Sequence, residues 1–451
     1  MRNLTAADFY LLPFYLIAIY SLAFFIRNKY YPEGHPWRPY FISGLSAKIS
    51  GAIAVGLIYQ YYYGGGDTFE FFFHSKLINN SLDISAGTWL RLLTHSANER
   101  NMDDMYAISE MYWYDDIASY TTAAIGALIG MFCFTKYLVI NIILASISFT
   151  GLWALFVTYA TQYKNLVKPI AFAVLFMPSV IIWGSGLFKD TVCITAIGWL
   201  AYSFYTLFEK KKLRFDLFLV IILSSVLLLK IKSYILISFL PVLIAKTILA
   251  LRSQIENTTK KRLVTLAFLP VIAIIGIIVY KKASDEMASF NIDKIVRTVV
   301  IQKDYLLSVS LAQEGSAYDL GEFEPSLKGM LSKAFPAINV TLFRPYIWEA
   351  KSIFLIAISV ESLILLTLTC VLIFTKNPFN TIKRILKDSN LIFFLTFTLI
   401  FAFFAGISSF NFGSLSRYKI PCMPFFALLL ILLLYPEKKK AENETGIDEH
   451  K

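Results

Sequence analysis

The stretch with the clearest potential for chemistry is YYYGGGDTFEFFF, residues 61–73. An apolar segment runs into three glycines, and two carboxylates, Asp67 and Glu70, follow at a spacing of three residues. If this stretch is helical, both side chains lie on one face. An acid at a membrane boundary costs free energy unless it is solvated, paired or used. Asp67 is therefore the first catalytic candidate, and a solvated acid after a glycine turn is the alternative interpretation.

A cation and an acid end a second polar stretch, PSVIIWGSGLFKD, residues 178–190. Asp190 would open a helix, where its charge is favourable for the helix dipole. Lys189 beside it is suited either to pairing with Asp190 or to binding a phosphate. The alternative interpretation is an ordinary corner between two helices.

An arginine stands out in a third stretch, LFRPYIWEA, residues 342–350, which also holds Glu349. Arg344 is of interest because a guanidinium offers two parallel donors to phosphate oxygens. The alternative is an arginine that contacts lipid headgroups.

The fourth polar stretch, residues 408–426, precedes the last apolar run and contains Arg417, Tyr418 and Lys419. These residues would lie at the mouth of the final helix. We predict that they bind substrate, with ordinary flanking positive charge as the alternative.

The composition indicates a polytopic helical membrane protein. Apolar residues make up 57% and charged residues 16% of the 451 residues, the mean hydropathy is +0.60, and soluble domains carry about 25% charge. Several apolar runs reach the ~20 residues that span a bilayer. The net charge of +11 does not indicate nucleic-acid binding, because the basic residues lie in short loops between apolar runs, where they set topology.

Twelve apolar runs can be recognised, at 8–26, 41–62, 119–134, 137–159, 168–184, 190–208, 216–230, 233–251, 263–280, 351–375, 391–409 and 419–435. The positive-inside rule places all the basic clusters in the cytoplasm, the N-terminus outside and the C-terminus inside. The number of crossings must then be odd. The weakest run is 119–134, which is only ~24 Å long as a helix. We predict a half-membrane or interfacial helix there and about eleven crossings elsewhere.

This topology divides one all-α membrane domain, residues 1–451, into two faces. The outer face receives an acidic loop, 64–118, with nine acids and three Lys or Arg residues. It also receives a long loop, 281–350, in which we expect an amphipathic helix near 285–312 and a short helix near 325–334, bounded by Pro325 and Pro336. Residues 437–451 would form a cytoplasmic tail. All four polar stretches fall on the outer face.

Metal and disulfide chemistry find little support in the sequence. The four cysteines lie in or beside apolar runs without metal spacing, and we interpret them as small core residues. His74 and His95 lack partners at helical spacing, so no residue is assigned to a metal. A divalent metal cofactor is left open.

The chain resembles GT-C-type integral membrane glycosyltransferases, which use polyprenyl-phosphate-linked sugars at the outer leaflet. The resemblance rests on an acid in the first large outer loop, matched by Asp67, on a long later outer loop, and on an Arg-Tyr-x-x-Pro entry to the last helix, matched by Arg417, Tyr418 and Pro421. GSGLFKD and LFRPYIWEA are similar to stretches of bacterial envelope-glycan membrane proteins. Many members carry paired acids as D-D, D-x-D or E-x-D, whereas Asp67 is followed by Thr68.

The polar residues suit a substrate that has both a phosphate and a reacting hydroxyl. With the resemblance, they imply transfer of a sugar from a polyprenyl (di)phosphate donor to a glycan, lipid or protein acceptor, on the outer face of the bacterial inner membrane. Asp67 would be the base, supported by Glu70. The substrate and its phosphate would be held by Lys189, Asp190, Arg344, Glu349, Arg417, Tyr418 and Lys419.

Three alternatives stay open. An O-antigen-type polymerase or ligase would depend more on outer-loop arginines than on Asp67. A transporter of lipid-linked glycans would have internal repeats and broken helices at mid-depth, and no repeat is visible in the sequence. A non-enzymatic envelope assembly protein is the third.

Overall fold

A computed structural model describes residues 4–98, 100–257, 317–322 and 326–435, together with Glu324 and four isolated positions between 259 and 266. The predicted amphipathic helix near 285–312 and the predicted tail 437–451 lie outside these residues. The described residues form helices joined by short loops, and their only strand-like pairing is one bridge between Ala317 and Asn411. The predicted all-α bundle is therefore confirmed.

The first half of the bundle consists of α1 to α11. Their bounds are α1 Ala6–Tyr30, α2 Arg38–Tyr61, α3 Asp67–Asn80, α4 Ala86–Leu93, α5 Met102–Ser109, α6 Ile117–Met131, α7 Tyr137–Gln162, α8 Val167–Leu175, α9 Pro178–Trp183, α10 Lys189–Phe204 and α11 Phe215–Ser253. A π-helical turn, Tyr205–Glu209, continues α10.

The second half follows the part of the chain that is not described. Its helices are α12 Leu327–Ser332, α13 Ala334–Phe343, α14 Ile353–Thr375, α15 Pro378–Lys387, α16 Ser389–Ser409, α17 Phe412–Tyr418 and α18 Met423–Leu434. The short helix predicted near 325–334 corresponds to α12, which ends before Pro336 as expected. Pro336 itself lies in the first turn of α13, where its missing N–H costs nothing. The other predicted bound, Pro325, lies outside the described residues.

Seven of the described helices are long and apolar enough to cross a membrane, or eight if the bent pair of α17 and α18 is counted as one span. The two helices of that pair meet at 69°. Apart from Leu263 and Leu266, the predicted run at 263–280 lies outside the described residues, so the total of eleven crossings stays a prediction.

Helix α11 folds back on itself at Lys232, whose φ of −147° and ψ of 76° are not helical. Near the far end of α11, Lys246 donates to Glu209 at the end of the π-helical turn, six residues before Phe215. A straight helix would separate Phe215 from Lys246 by about 46 Å, whereas six extended residues reach only about 22 Å. The runs 216–230 and 233–251 are therefore two antiparallel limbs, as the sequence predicts.

The short helix α6 begins and ends in the same half of the bundle. Its N-cap residue Asp116 accepts a bond from Lys189 at the start of α10. After its end, the Phe132 carbonyl accepts the Tyr15 hydroxyl of α1 at 2.6 Å, and α7 then starts beside Asp8, near the beginning of α1. This geometry agrees with the predicted half-membrane or interfacial helix at 119–134.

The run 168–184 is broken into α8 and α9 rather than forming one helix. Met177 between them is extended, with φ −67° and ψ 126°, because the ring of Pro178 disfavours helical geometry in the preceding residue. The buried carboxylate of Glu361 in α14 then accepts the Ser179 N–H at 2.7 Å and the Ser179 hydroxyl at 2.8 Å. Glu361 thus caps the start of α9.

Candidate functional site

Arg417 is the centre of a charged cluster at one end of the bundle, which we call the site face. Its Nη1 donates to Asp67 Oδ2 at 2.6 Å, and its Nε and Nη2 donate to Asp190 Oδ2, each at 3.2 Å. The same Asp190 accepts a bond from Lys232 through Oδ1. Four residues that are far apart in the chain thus form one continuous ion-pair network, which we call the charge cluster.

The N-terminus of α3 positions Asp67. Gly66, with φ of +129°, lies against the ring of Tyr59 so closely that a Cβ there would overlap it. A side chain is therefore excluded at this position, and the backbone can turn directly into α3. In the next residue, the Thr68 hydroxyl shares a hydrogen bond of 2.8 Å with the Tyr137 hydroxyl of α7.

The turn between α9 and α10 positions Lys189 and Asp190. The Gly184 carbonyl that ends α9 accepts bonds from the buried Lys48 ammonium of α2 and, at 3.0 Å, from the Ser148 hydroxyl of α7. Asn141 of α7 accepts the Leu187 N–H at 3.0 Å. These bonds from two neighbouring helices determine where α10 begins.

Arg417 extends from α17, whose first N–H groups are capped by the Asn411 side chain. The guanidinium carbon lies 4.7 Å from the ring centre of Phe188 and 5.7 Å from that of Trp183. Aromatic rings at this distance attract a cation. The guanidinium is thus held by rings as well as by carboxylates.

Two cavities meet at the charge cluster and share Asp67, Ser414 and Arg417 in their linings. The smaller cavity has a volume of about 720 Å³. It is lined by the glycine turn 64–66, by polar side chains that include Asn411 and Ser416, and by aromatic side chains that include Tyr59 and Trp183. We call it the polar cavity.

The larger cavity has a volume of about 960 Å³ and combines cations with an apolar wall. Lys189 and Lys232 line it together with Tyr418, whose ring centre lies 4.7 Å from the Lys232 ammonium. Its apolar wall includes Phe401 and Phe404 of α16, and Phe404 is exposed on the outside of the bundle. We call it the apolar cavity.

Lys189 is held at the apolar cavity by Asp116, whose Oδ2 lies 3.3 Å from the ammonium. Burial disfavours the charged carboxylate, but the Ser119 hydroxyl and the Lys189 ammonium together hold the pKa of Asp116 below its usual value. This acid therefore stays ionised and keeps Lys189 oriented.

Asp190 lines neither cavity, although it contacts Arg417 and Lys232 in the charge cluster. Three other predicted site residues lie away from both the cavities and the charge cluster. Glu70 accepts the Tyr112 hydroxyl and does not contact Arg417. Arg344 and Glu349 form an ion pair with each other, in which Arg344 Nε lies 3.1 Å from both carboxylate oxygens. These three side chains join parts of the scaffold in the structure.

Lys419 also serves the scaffold, although the sequence predicts that it binds substrate. It is fully buried and donates to the Arg344 carbonyl and the Ser362 hydroxyl, each at 3.1 Å. Sequence reasoning assigns neither Lys232 nor Glu361 to the site, and Lys232 indicates there only a basic outer turn that contacts lipid headgroups. Glu361 interrupts an apolar run and Lys232 separates two such runs. An ionisable residue in such a place is a signal for function.

No protein-family profile, curated protein or solved structure matches this chain. In the part of the chain that the structure describes, no group of three His, Cys, Asp or Glu side chains is placed to hold a metal ion. The site must therefore be interpreted from its own geometry.

Proposed function

We propose that the chain is a membrane glycosyltransferase that moves a sugar from a polyprenyl (di)phosphate donor to a glycan, lipid or protein hydroxyl. The observation that carries this proposal is the position of Asp67 and Arg417 in the wall shared by the polar and apolar cavities. A carboxylate and a guanidinium at such a boundary can act on two substrates that enter from opposite sides.

The apolar cavity suits the donor. Its wall reaches the exposed face of α16, so an isoprenoid chain can enter from the bilayer. Lys189, Lys232 and Arg417 line it together with the carboxylates of Asp67 and Asp116, and the phosphate would sit against these cations. Cations placed where negative charge develops stabilise a departing phosphate.

The polar cavity suits the acceptor. Its backbone and hydroxyl groups can bind a sugar, and Asp67 lines it. In the proposed reaction, the acceptor oxygen attacks the anomeric carbon and its proton passes to Asp67. The bond between that carbon and the phosphate oxygen breaks, and the lipid phosphate leaves with the bonding electron pair.

We place the protein in the bacterial inner membrane with the site face outside the cytoplasm. The support is the charge distribution, since the segments at the opposite end hold most of the basic clusters, including Lys210–Lys212 in a loop and Lys383, Arg384 and Lys387 in α15. Cytoplasmic loops carry such an excess of Lys and Arg.

A transfer assay tests the proposal. Purified protein in nanodiscs would be incubated with radiolabelled polyprenyl-phosphate and polyprenyl-diphosphate sugars and candidate acceptors. We expect wild type to release the lipid phosphate and Asp67→Asn to lose about 10²-fold or more in rate. Asp83→Asn is the matched control, because Asp83 is an exposed acid of the same outer segment. Equal rates in Asp67→Asn and wild type would assign the chemistry to the arginines, as in an O-antigen-type polymerase or ligase.

A transporter of lipid-linked glycans is the second candidate, and one observation favours it. Glu361 and Lys419 are buried charged residues beside two breaks in apolar helices, the α8–α9 break and the α17–α18 bend. Transporters place ionisable residues at such broken helices. Movement of a fluorescent lipid-linked glycan across proteoliposomes, without any release of lipid phosphate, would favour this function over transfer.

A further inference from the structure

The two carboxylates that contact Arg417 differ in how firmly they are held. The Asp190 side chain is 1% exposed, and its two oxygens bond to two cations, Lys232 and Arg417. Removing it from these partners would leave a buried charge unpaired, which is costly. Asp190 is therefore fixed in place.

Asp67 is held more weakly. Its side chain is 30% exposed, and its contact with the charge cluster is the single bond from Arg417 Nη1. It follows a turn in which Gly64 and Gly66 have φ of +70° and +129°, and it begins α3. Because Asp67 is more exposed than Asp190 and has one charged partner, losing that partner costs less for Asp67 than for Asp190.

The charge balance restricts what can bind. Arg417 and Lys232 carry two positive charges, and Asp67 and Asp190 carry two negative charges, so the charge cluster is neutral. Lys189 is separately paired with Asp116. A phosphate that enters the apolar cavity therefore competes with a carboxylate, and Asp67 is the one that can be displaced.

We propose that the Asp67–Arg417 ion pair is an exchangeable latch: a lipid phosphate replaces Asp67 on Arg417 Nη1, and the released carboxylate becomes free to accept a proton in the polar cavity. This inference rests on the proposed function. Asp190 is a positioning residue in this exchange, because it holds the Arg417 guanidinium through Nε and Nη2 while Nη1 changes partner. The base is thus released only when a donor is bound.

Binding of a polyprenyl phosphate without a sugar tests the latch separately from turnover. Affinity would be measured by native mass spectrometry or a fluorescence titration, with the uncharged polyprenol as a control ligand. We expect Asp67→Asn to bind the lipid phosphate about threefold to tenfold more tightly than wild type, because the competing carboxylate is gone. Polyprenol binding should not change, and Asp83→Asn should match wild type for both ligands.

Substitution of Asp190 should change the affinity for the lipid phosphate in the opposite direction, because Asp190 positions Arg417. We expect Asp190→Asn to weaken lipid-phosphate binding at least tenfold, and Asp190→Glu to recover part of it because the charge is kept. A general loss of folding would also weaken polyprenol binding, so the ratio of the two affinities is the readout. The result for Asp67→Asn does not depend on whether the Asp190 variants fold.

Equal or weaker lipid-phosphate binding by Asp67→Asn would overturn the latch, even if wild type transfers sugar. Tighter binding by this variant, without transfer from any donor, would retain the latch and remove the glycosyltransferase proposal. The two failures are therefore distinguishable.

Discussion

The shape of the Arg417 guanidinium determines what the charge cluster can do. Its three nitrogens divide between Asp67 on one side and Asp190 on the other. A lysine ammonium keeps the charge but lacks this planar fork. Charge alone therefore cannot replace Arg417.

This difference predicts the behaviour of Arg417→Lys. We expect its transfer rate to fall by about 10²-fold, the effect typical of losing one well-placed donor to a developing negative charge. The transfer assay with purified protein measures it. Arg252→Lys is the matched control, because Arg252 is exposed in the last turn of α11. A wild-type rate in Arg417→Lys would show that transfer does not require the planar donor arrangement of the guanidinium.

His74 is a second residue whose chemistry depends on burial. Its side chain is fully buried in α3, neither ring nitrogen has a hydrogen-bond partner among the described residues, and the rings of Tyr112 and Trp113 lie 4.8 and 5.6 Å away. Burial lowers the pKa of His74 from 6.5 to about 4. The imidazole is therefore neutral at pH 7 and acts as an apolar ring.

The direction of the pH effect follows from this lowered pKa. The unfolded chain takes up a proton near pH 6.5 and the folded chain only near pH 4, so stability falls as the pH drops through this interval. Thermal unfolding across pH 7 to 4 should show a smaller loss of stability in His74→Leu than in wild type. Identical pH profiles for the two proteins would show that His74 does not contribute.

At the scale of elements, the contact between α7 and α10 places Asp190 in the site. Gly151 of α7 and Gly198 of α10 face each other so closely that a Cβ on Gly198 would overlap the Gly151 carbonyl. Small residues allow membrane helices to approach in this way. The position of α10 therefore depends on these two glycines.

We accordingly expect Gly198→Ala to lower the stability by about 1–3 kcal/mol, because the added methyl group must push the two helices apart. Thermal unfolding in detergent measures this loss. Gly65→Ala is the control for stability, since a Cβ there meets no atom within 4 Å. Equal unfolding temperatures for Gly198→Ala and wild type would contradict a close approach of α7 and α10 at Gly151 and Gly198.

At the scale of the whole molecule, the fold-back of α11 decides which face each loop occupies. Lys212 before α11 and Ser253 at its end lie on the same face if the two limbs are antiparallel. A single straight helix would put them on opposite faces. Both residues are exposed, so they can report the topology.

Cysteine labelling with a membrane-impermeant maleimide tests this arrangement. In a Cys370→Ser background, which removes the one half-exposed cysteine of the chain, we expect Asp83→Cys to react in intact cells. Lys212→Cys and Ser253→Cys should react only after the membrane is opened. If Lys212→Cys and Ser253→Cys reacted from opposite sides of the membrane, the antiparallel arrangement of the two limbs of α11 would be excluded.

Much of the scaffold could be predicted because its signals are local. The length of an apolar run determines whether it can cross a bilayer, which is why the short helix α6 and the two limbs of α11 are recognisable in the sequence. Asp67, Lys189, Asp190, Arg417 and Tyr418 could likewise be chosen individually, since each interrupts or borders an apolar run.

The pairing of these residues could not be predicted in the same way. Asp67 and Arg417 are 350 positions apart, and the contact depends on how α3, α10, α11 and α17 pack. Packing also separates Glu70, Arg344 and Lys419 from the cavities and brings Lys232 to Asp190. Residue type and hydropathy act over a few neighbours along the chain, and they therefore determine the helices and the candidate residues. Ion pairs and cavities arise between distant segments, so only the packed bundle determines the charge cluster.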